Sequence, residues 1–334
     1  MTQHLFFKQR LTLIAAAFLM IIGMLIALSV GRYELSLRQV FGILTNTIPS
    51  TAVNQNVVLN IRLPRVLAAA GIGAALALSG TAYQGIFQNP LVSPDLLGVS
   101  NGAAVGAALA ILLNFQPWAI QILAFIFGIS AVLLTMSIPK LMHQRTTLTL
   151  VLAGIIVSGL MQACLGLIKY LVDPDSQLQS IVFWQLGSLA KVTLTNLLTT
   201  LPLLIIGTII LCIMRWRLTV ISLGDSAAGS LGINLRFERL LIILCATILT
   251  AASVCISGTI GWIGLVVPHV ARLIIGPNPR YALPLAGLVG ALFLVIVDTL
   301  ARTISAGEIP LSILTGFIGT PIFIYILLSK RVKL

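Results

Sequence analysis

The sequence is poor in charge. Of 334 residues, 20 are Lys or Arg and 8 are Asp or Glu, so charged side chains make up 8% of the chain while apolar ones make up 58%. A soluble domain carries about 25% charged residues. Too few polar side chains exist to cover a water-facing surface, which excludes a cytosolic enzyme, a nucleic-acid binder and a disordered protein. Cysteine is also scarce. Cys164, Cys212, Cys245 and Cys255 all fall in apolar stretches, with no C-x-x-C pair and no His at ligand spacing. They read as buried thiols, and no metal or redox site is expected. No Gly is followed by Lys anywhere, so the chain has no phosphate-binding loop of its own.

What it has in quantity is long apolar runs. A spanning helix needs about 20 mostly apolar residues, and the runs lack the two-residue alternation of a barrel strand. Ten segments qualify: 11–30, 62–83, 95–113, 117–138, 146–170, 193–214, 238–257, 260–276, 281–301 and 309–328. The eighth is short and contains Pro268. The expectation is an all-α, polytopic integral membrane protein with ten transmembrane helices in one domain over 1–334. The first run has the basic flank of a signal peptide (Lys8, Arg10), but its length favours a retained helix.

Basic residues stay on the cytoplasmic side. With both termini inside, thirteen of the twenty Lys and Arg lie in cytoplasmic segments and seven lie outside: Arg32, Arg38, Arg62, Arg65, Lys169, Lys191 and Arg302. The positive charge is mainly a topology signal. The seven outer residues are more than the rule favours.

The connections carry further signals. Leu37, Val40, Phe41 and Leu44 have the spacing of a short surface helix. The outer segment 171–192 is polar. The inner segment 215–237 runs Arg215-Trp216-Arg217, then Leu223-Gly224-Asp225-Ser226-Ala227-Ala228-Gly229-Ser230-Leu231-Gly232. Asp225 suits a helix cap and Gly232 a helix end, with a second helix from near Leu235. The segment reads either as a loop held by lipid head groups or as a docking knob for a cytoplasmic partner.

The chain echoes itself at an offset of 178: Ser79-Gly80-Thr81 recurs as Ser257-Gly258-Thr259, Pro90 as Pro268, Val92 as Val270 and Gly98 as Gly276. Five spans separate the copies, which predicts an inverted internal repeat, a transporter architecture. Gly and Pro break the helices at 84–95 and 258–268, and Gln84, Gln88, Asn89, Ser93 and Asp95 are polar there. Non-helical backbone at membrane depth needs protein or a watery cavity beside it. Gln84, Asn89, Pro90, Gly258 and Pro268 are therefore candidate pathway residues, although a plain turn between helices also explains them. Proton- or sodium-driven transporters carry ionisable groups inside their spans. The acids here, Glu34, Asp95, Asp173, Asp175, Asp225, Glu238, Asp298 and Glu308, all fall at predicted helix ends or in loops. Lacking a relay and a phosphate loop, a transporter of this kind would draw its driving force from a partner.

At this point the residues resemble a family. Arg62-Leu63-Pro64-Arg65, Ser79-Gly80, Gln84, Asn89-Pro90-Leu91 and Leu97-Gly98-Val99-Ser100-Asn101-Gly102-Ala103 look like the permease subunits of ABC importers for vitamin B12, ferric siderophores and haem. So do Leu223-Gly224 with Leu231-Gly232, Gly258 with Ile260 and Gly264-Leu265, Pro268-His269 with Arg272, Asp298 with Arg302, Glu308 with Pro310, and Gly319-Thr320-Pro321 with Phe323. The resemblance spans about 60–330. It implies a homodimer in the bacterial inner membrane with both termini cytoplasmic, two copies of a P-loop ATPase below and a periplasmic binding protein above. It implies no cofactor in this chain, ATP and Mg being bound by the ATPase, and no nucleic-acid partner. The ATPase-coupling residues would be Leu223, Gly224, Asp225, Ala227, Ala228, Gly229, Leu231 and Gly232.

By the same resemblance Arg62, Arg65 and Arg302 would dock the binding protein, since guanidinium groups pair well with carboxylates. Lipid anchoring, or an i,i+4 pair of Arg302 with Asp298, is the plainer account. Thr146 and Thr147 match a cytoplasmic gate, or simply cap a helix. His269 beside Pro268 reads as a polar contact at a kink. The implied cargo is a metal chelate (siderophore, haem or cobalamin class), with an oxyanion such as molybdate or tungstate as the alternative. A secondary transporter or channel would need an acid or His at mid-depth of a span.

Overall fold

Hydropathy dictates helices, and the computed structural model, which describes residues 2–47, 49–143, 146–224, 234–305 and 307–329, is helical with no strand among the described residues. Thirteen helices are labelled here: α1 Thr2–Ser29, α2 Leu37–Thr45, α3 Ala52–Phe87, α4 Val99–Leu112, α5 Pro117–Leu141, α6 Thr147–Leu171, α7 Gln177–Leu186, α8 Leu194–Ile213, α9 Arg215–Ser222, α10 Leu235–Ser257, α11 Ile263–Ile275, α12 Pro279–Ile304 and α13 Leu311–Leu328. "Outer" and "inner" denote the two ends of the bundle as the basic-residue count assigns them.

A helix stands at each of the ten expected positions, but only eight are long and apolar enough to cross a membrane. α4 and α11 have 14 and 13 residues. At 1.5 Å per residue they reach only about 20 Å, short of the roughly 30 Å hydrocarbon core. Before α4 stands only a single 3-10 turn, Pro94–Leu97, and before α11 the stretch 258–262 is non-helical. Gln88 turns left-handed at φ 48° after α3, and Gly98 does so at φ 83° before α4. Gly258 (φ 70°) ends α10, and Trp262 (φ 70°) precedes α11. The segment 171–192 also holds a helix, α7, that its polarity did not announce.

The short surface helix predicted near residue 37 is α2. Ser36 and Gln39 form a capping box and Asn46 closes the helix at φ 55°. Its buried residues are Val40, Gly42 and Ile43, while Leu37 and Phe41 stay exposed.

The expected repeat is not matched by local structure. Ser79-Gly80 lies inside α3, whereas Ser257-Gly258 ends α10; Pro90 lies in a loop and Pro268 inside α11. Of these pairs only Gly98 and Gly276 share a left-handed φ, 83° and 94°. Residue type recurs without recurrence of conformation.

Burial ranks the helices. The apolar windows of α3 and α10 are 78% buried, that of α1 only 11%. α3 is therefore the hub, and small residues let its neighbours approach. A Cβ on Gly73 would lie 2.2 Å from the Gly290 carbonyl oxygen of α12, and one on Gly80 would lie 1.9 Å from that of Gly264 in α11. In lipid, where a hydrophobic drive between helices is absent, such close backbone packing holds a bundle together.

Gly80→Val should therefore force α3 and α11 apart and destabilise the fold by about 1–3 kcal/mol, the usual range for overpacking. Gly166→Ala, with nothing within 4 Å of its added methyl, should leave the melting temperature unchanged. Thermal unfolding of the two purified variants in detergent, followed by size-exclusion, checks the contrast.

Candidate functional site

Charge buried at the outer end is the first feature. Arg62 begins the last stretch of α3 and Arg65 sits one turn on. Asp298 and Arg302 are one turn apart on α12, and Glu308 lies in the loop beyond it at φ 53°. Arg65 Nε donates to both Asp298 oxygens at 2.9 Å, and its Nη1 donates to Glu308 Oε1 at 3.0 Å. Arg302 Nε stands 3.9 Å from Asp298 Oδ2, the i,i+4 relation. Arg62 Nη1 donates to the carbonyls of Leu28 and Ser29 at 2.8 Å each, and its Nη2 to that of Tyr33. Arg302 Nη2 donates to the Ala27 carbonyl.

These contacts solve two problems together. The last carbonyls of α1 have no partner within the helix, and cationic donors are the favoured cap there. The carboxylate of Asp298 is 1% exposed, and only paired charge is tolerated at such burial. Arg62, Arg65 and Arg302 are 4%, 7% and 8% exposed, and their donors serve the chain's own carbonyls and acids. Asp298 is not at a helix end, as α12 continues to Ile304.

Deeper, the stretch before α4 meets α11. Gln84 Nε2 donates to Val92 O at 3.2 Å and Leu265 O at 3.3 Å, while its Oε1 accepts from Arg272 Nη2 at 2.7 Å. His269 Nε2 is 2.8 Å from Pro90 O, and its ring meets Phe323 edge-on at 5.5 Å. Pro94 packs against Gly264. The candidate residues Gln84, Pro90 and Pro268 are thus gathered around the break, where side chains satisfy backbone that no helix pairs. Asn89 is exposed and bonds only Leu91 N, at 2.9 Å. Gly258 belongs to another knot nearer the outer end. A Cβ there would lie 2.0 Å from Trp184 O, Ser188 N donates to Ser257 O, and Leu311 N donates to Gly187 O. It ties α7, α10 and α13 together.

At the inner end, Thr146 caps α6 by accepting from Thr149 N; it is exposed and Thr147 is half-buried. Leu223 is 68% exposed, and Gly224 has φ 106° with open space around it. Asp225, Ala227, Ala228, Gly229, Leu231 and Gly232 lie outside the described residues. The chain on either side is anchored. α9 buries Leu218, Val220 and Ile221, Arg217 pairs with Glu238 at 2.9 Å, and Asn234 caps α10. Among the described residues no group of three or more His, Cys, Asp or Glu could hold a metal ion.

Sequence reasoning missed the Arg65 pairing with Asp298 and Glu308, the Arg272–Gln84 bond and the positive φ of Trp262. The only available sign for the first was two acids and three arginines at outer helix ends in a chain so short of charge.

The chain matches the FecCD transport family over residues 19–329. It is 41% identical over 309 residues to the molybdate import system permease protein MolB of Haemophilus influenzae, covering 91% of each chain. It is 39% identical over 326 residues to the hemin transport system permease protein HmuU of Yersinia pestis, covering 94% of this chain and 95% of that one. A solved inward-facing conformation of a putative metal-chelate type ABC transporter superposes with a TM-score of 0.87 at 39% identity, covering 95% of this chain and 98% of that one.

Asp298→Asn should remove the counter-charge that holds Arg65 and Arg302 in the interior. Loss of one partner from a buried pair costs about 3–5 kcal/mol, so the variant should melt well below the parent in detergent. The double change Arg65→Met, Asp298→Leu should recover the part of that loss due to Arg65, Arg302 staying without its counter-charge. A double variant as unstable as D298N would refute the pairing as the cause.

Proposed function

The chain belongs to the FecCD transport family, and from that premise we propose that it is the membrane-spanning half of a binding-protein-dependent ABC importer whose cargo is a metal chelate. The single observation that carries the reading is the match over almost the whole chain to permease subunits. Two copies form the unit in the bacterial inner membrane, with both termini cytoplasmic and a pathway near the axis between them. α4 and α11, with the stretches that precede them, complete a ten-span count. The chain performs no covalent chemistry. Two P-loop ATPase subunits bind ATP and Mg and engage the segment around Leu223 and Gly224 through Leu231 and Gly232. A periplasmic binding protein delivers the cargo at the outer end.

Mechanism follows from how force enters. ATP-driven closure of the ATPases would push on segment 223–234. α9, directly before it, packs on α3 and α12, and Thr219 Oγ1 stands 3.4 Å from Asn278 Oδ1, the cap of α12. A push there reaches the helix whose other end carries Asp298 and Arg302. Thr146 and Thr147 stand at the inner mouth as the gate. Docking of the binding protein is assigned to the outer end, where Arg62, Arg65 and Arg302 gather with Asp298 and Glu308.

An oxyanion is the second reading, and the observation that favours it is the named molybdate permease at 41% identity. The hemin permease is similar to nearly the same degree, so overall likeness does not choose between the cargoes. The spans show no cationic cradle at mid-depth among the described residues, which supports the larger, neutral-walled passage.

Co-expression with its ATPase and binding protein, and reconstitution in lipid vesicles, tests the proposal. ATP-dependent uptake of a ferric siderophore, haem or cobalamin is the expected result, with calorimetry on the binding protein identifying which. Uptake of labelled molybdate alone would move the assignment to the second reading. Leu231→Arg should abolish co-purification of the ATPase; retained co-purification and retained uptake would remove segment 223–234 from the coupling role.

A further inference from the structure

A spanning helix that faces lipid has no use for a side-chain amide. Gln162 stands on α6, the sixteenth of its 25 residues. At 1.5 Å per residue it is about 22 Å from the inner end and about 14 Å from the outer end, well within the hydrocarbon depth. It is exposed, and its amide has no hydrogen-bond partner among the described residues. An amide left unpaired in hydrocarbon costs about 2–7 kcal/mol, so this flank of α6 is not a lipid face.

Its neighbours support that. α6 buries Ala153, Gly154, Val157, Leu165 and Ile168 on one side. Ser158, Gln162 and Lys169, at i, i+4 and i+11, share a flank about a third of a turn away. Gly159 and Gly166 lie beside Gln162, each with nothing within 4 Å of where a Cβ would stand. The strip is therefore polar and roomy. Its inner end starts at the helix break described above: a Cβ on Gly98 would lie 3.2 Å from Ser158 Oγ, and one on Gly154 would lie 2.2 Å from Leu96 O. Polar, uncrowded surface thus runs from the non-helical stretch before α4 towards Lys169 near the outer end.

We propose that Gln162 lines the passage and hydrogen-bonds the cargo at mid-depth, its amide N–H donating to oxygen atoms on the passing solute. Oxygen acceptors are common to an oxygen-ligated chelate and to an oxyanion, so the residue serves either cargo. A neutral amide also binds oxygen without the tight hold of a buried cation, which suits a site that must release. The inference rests on the proposed transport function and adds a residue to it.

The test uses the full permease–ATPase complex in lipid vesicles, with Cys164, Cys212, Cys245 and Cys255 changed to Ala and Gln162→Cys introduced. A charged, membrane-impermeant thiol reagent should label Gln162→Cys, with a rate that changes when ATP is added. Phe18→Cys, on the exposed face of α1, should stay unlabelled as the lipid-facing control. Gln162→Leu should lower vesicle uptake about 3- to 10-fold, the loss expected of one neutral hydrogen bond, while Gln162→Asn keeps more of it. Gln162→Cys as inert as Phe18→Cys would overturn the proposal by making the flank a lipid face. An unlabelled thiol that instead forms a disulfide between two copies would overturn it by making the flank a packed interface. Unchanged uptake in Gln162→Leu would overturn the hydrogen-bonding role. A parent complex that hydrolyses ATP but moves no solute would count against the transport function itself, whatever the labelling pattern.

Discussion

The controlling constraint is that hydrocarbon offers a peptide group no hydrogen-bond partner. Each unpaired N–H or C=O there costs several kcal/mol. A chain of uninterrupted helices meets this automatically, but this one interrupts its helices before α4 and α11. The rest of the structure can be read as the means of covering those interruptions. Gln84 works from both ends of its amide, donating to a carbonyl of the stretch before α4 and to one in the first turn of α11, and accepting from Arg272. His269 reaches back to Pro90. Gly80 and Gly264 have no side chains because the backbones need to touch there. The glycines of α3 and the polar residues of the breaks are parts of one solution, close packing where a helix stops.

The same constraint governs charge. Few charged residues are present, and several of those near the outer end are buried together. Arg62, Arg65 and Arg302 fasten the end of α1, the start of the long stretch of α3 and the end of α12, with Asp298 as the shared counter-charge. α1 needs such a fastening because little else holds it; its apolar window is only 11% buried. A buried ion cluster adds little net stability compared with apolar packing, but it fixes geometry. It sets which carbonyls meet which guanidinium, and so fixes the outer end in one arrangement.

Helix positions were legible in the sequence because hydropathy is a local property, and all ten stretches contain helix. α2 was legible for the same reason, since the spacing of Leu37, Val40, Phe41 and Leu44 is local; its Ser36–Gln39 cap was not read. Length was not legible for α4 and α11, because apolar composition continues through Gly98 and through Ile260, where φ and ψ leave the helical region. The pairing of Arg65 with Asp298 joins residues 233 apart, and no periodicity carries that information. For this reason the inward contacts of the outer arginines were not legible. Counted along the chain they look like surplus outer charge; in three dimensions their partners are already present. The recurring residue types occupy different local conformations, since Gly80 serves close approach inside a helix and Gly258 ends one.

The position of α12 then bears on how an importer of this kind would work. Its inner end is capped by Asn278, which lies beside Thr219 of α9, and its outer end carries Asp298 and Arg302. In between, Gly290 lies against Gly73 of α3 at backbone distance. A helix pinned at both ends and locked at its middle cannot bend freely, because displacing any one contact exposes buried charge or opens a void. In an importer of this kind it would move as a rod, together with α3. Opening of a passage would then fall on a helix with a free flank, and α6 has one, with one face buried and the flank bearing Gln162 and two open glycines unpartnered. On the proposed function, rigidity in α3 and α12 and freedom at α6 would be complementary: the first would carry force across the membrane, and the second would give it something to move.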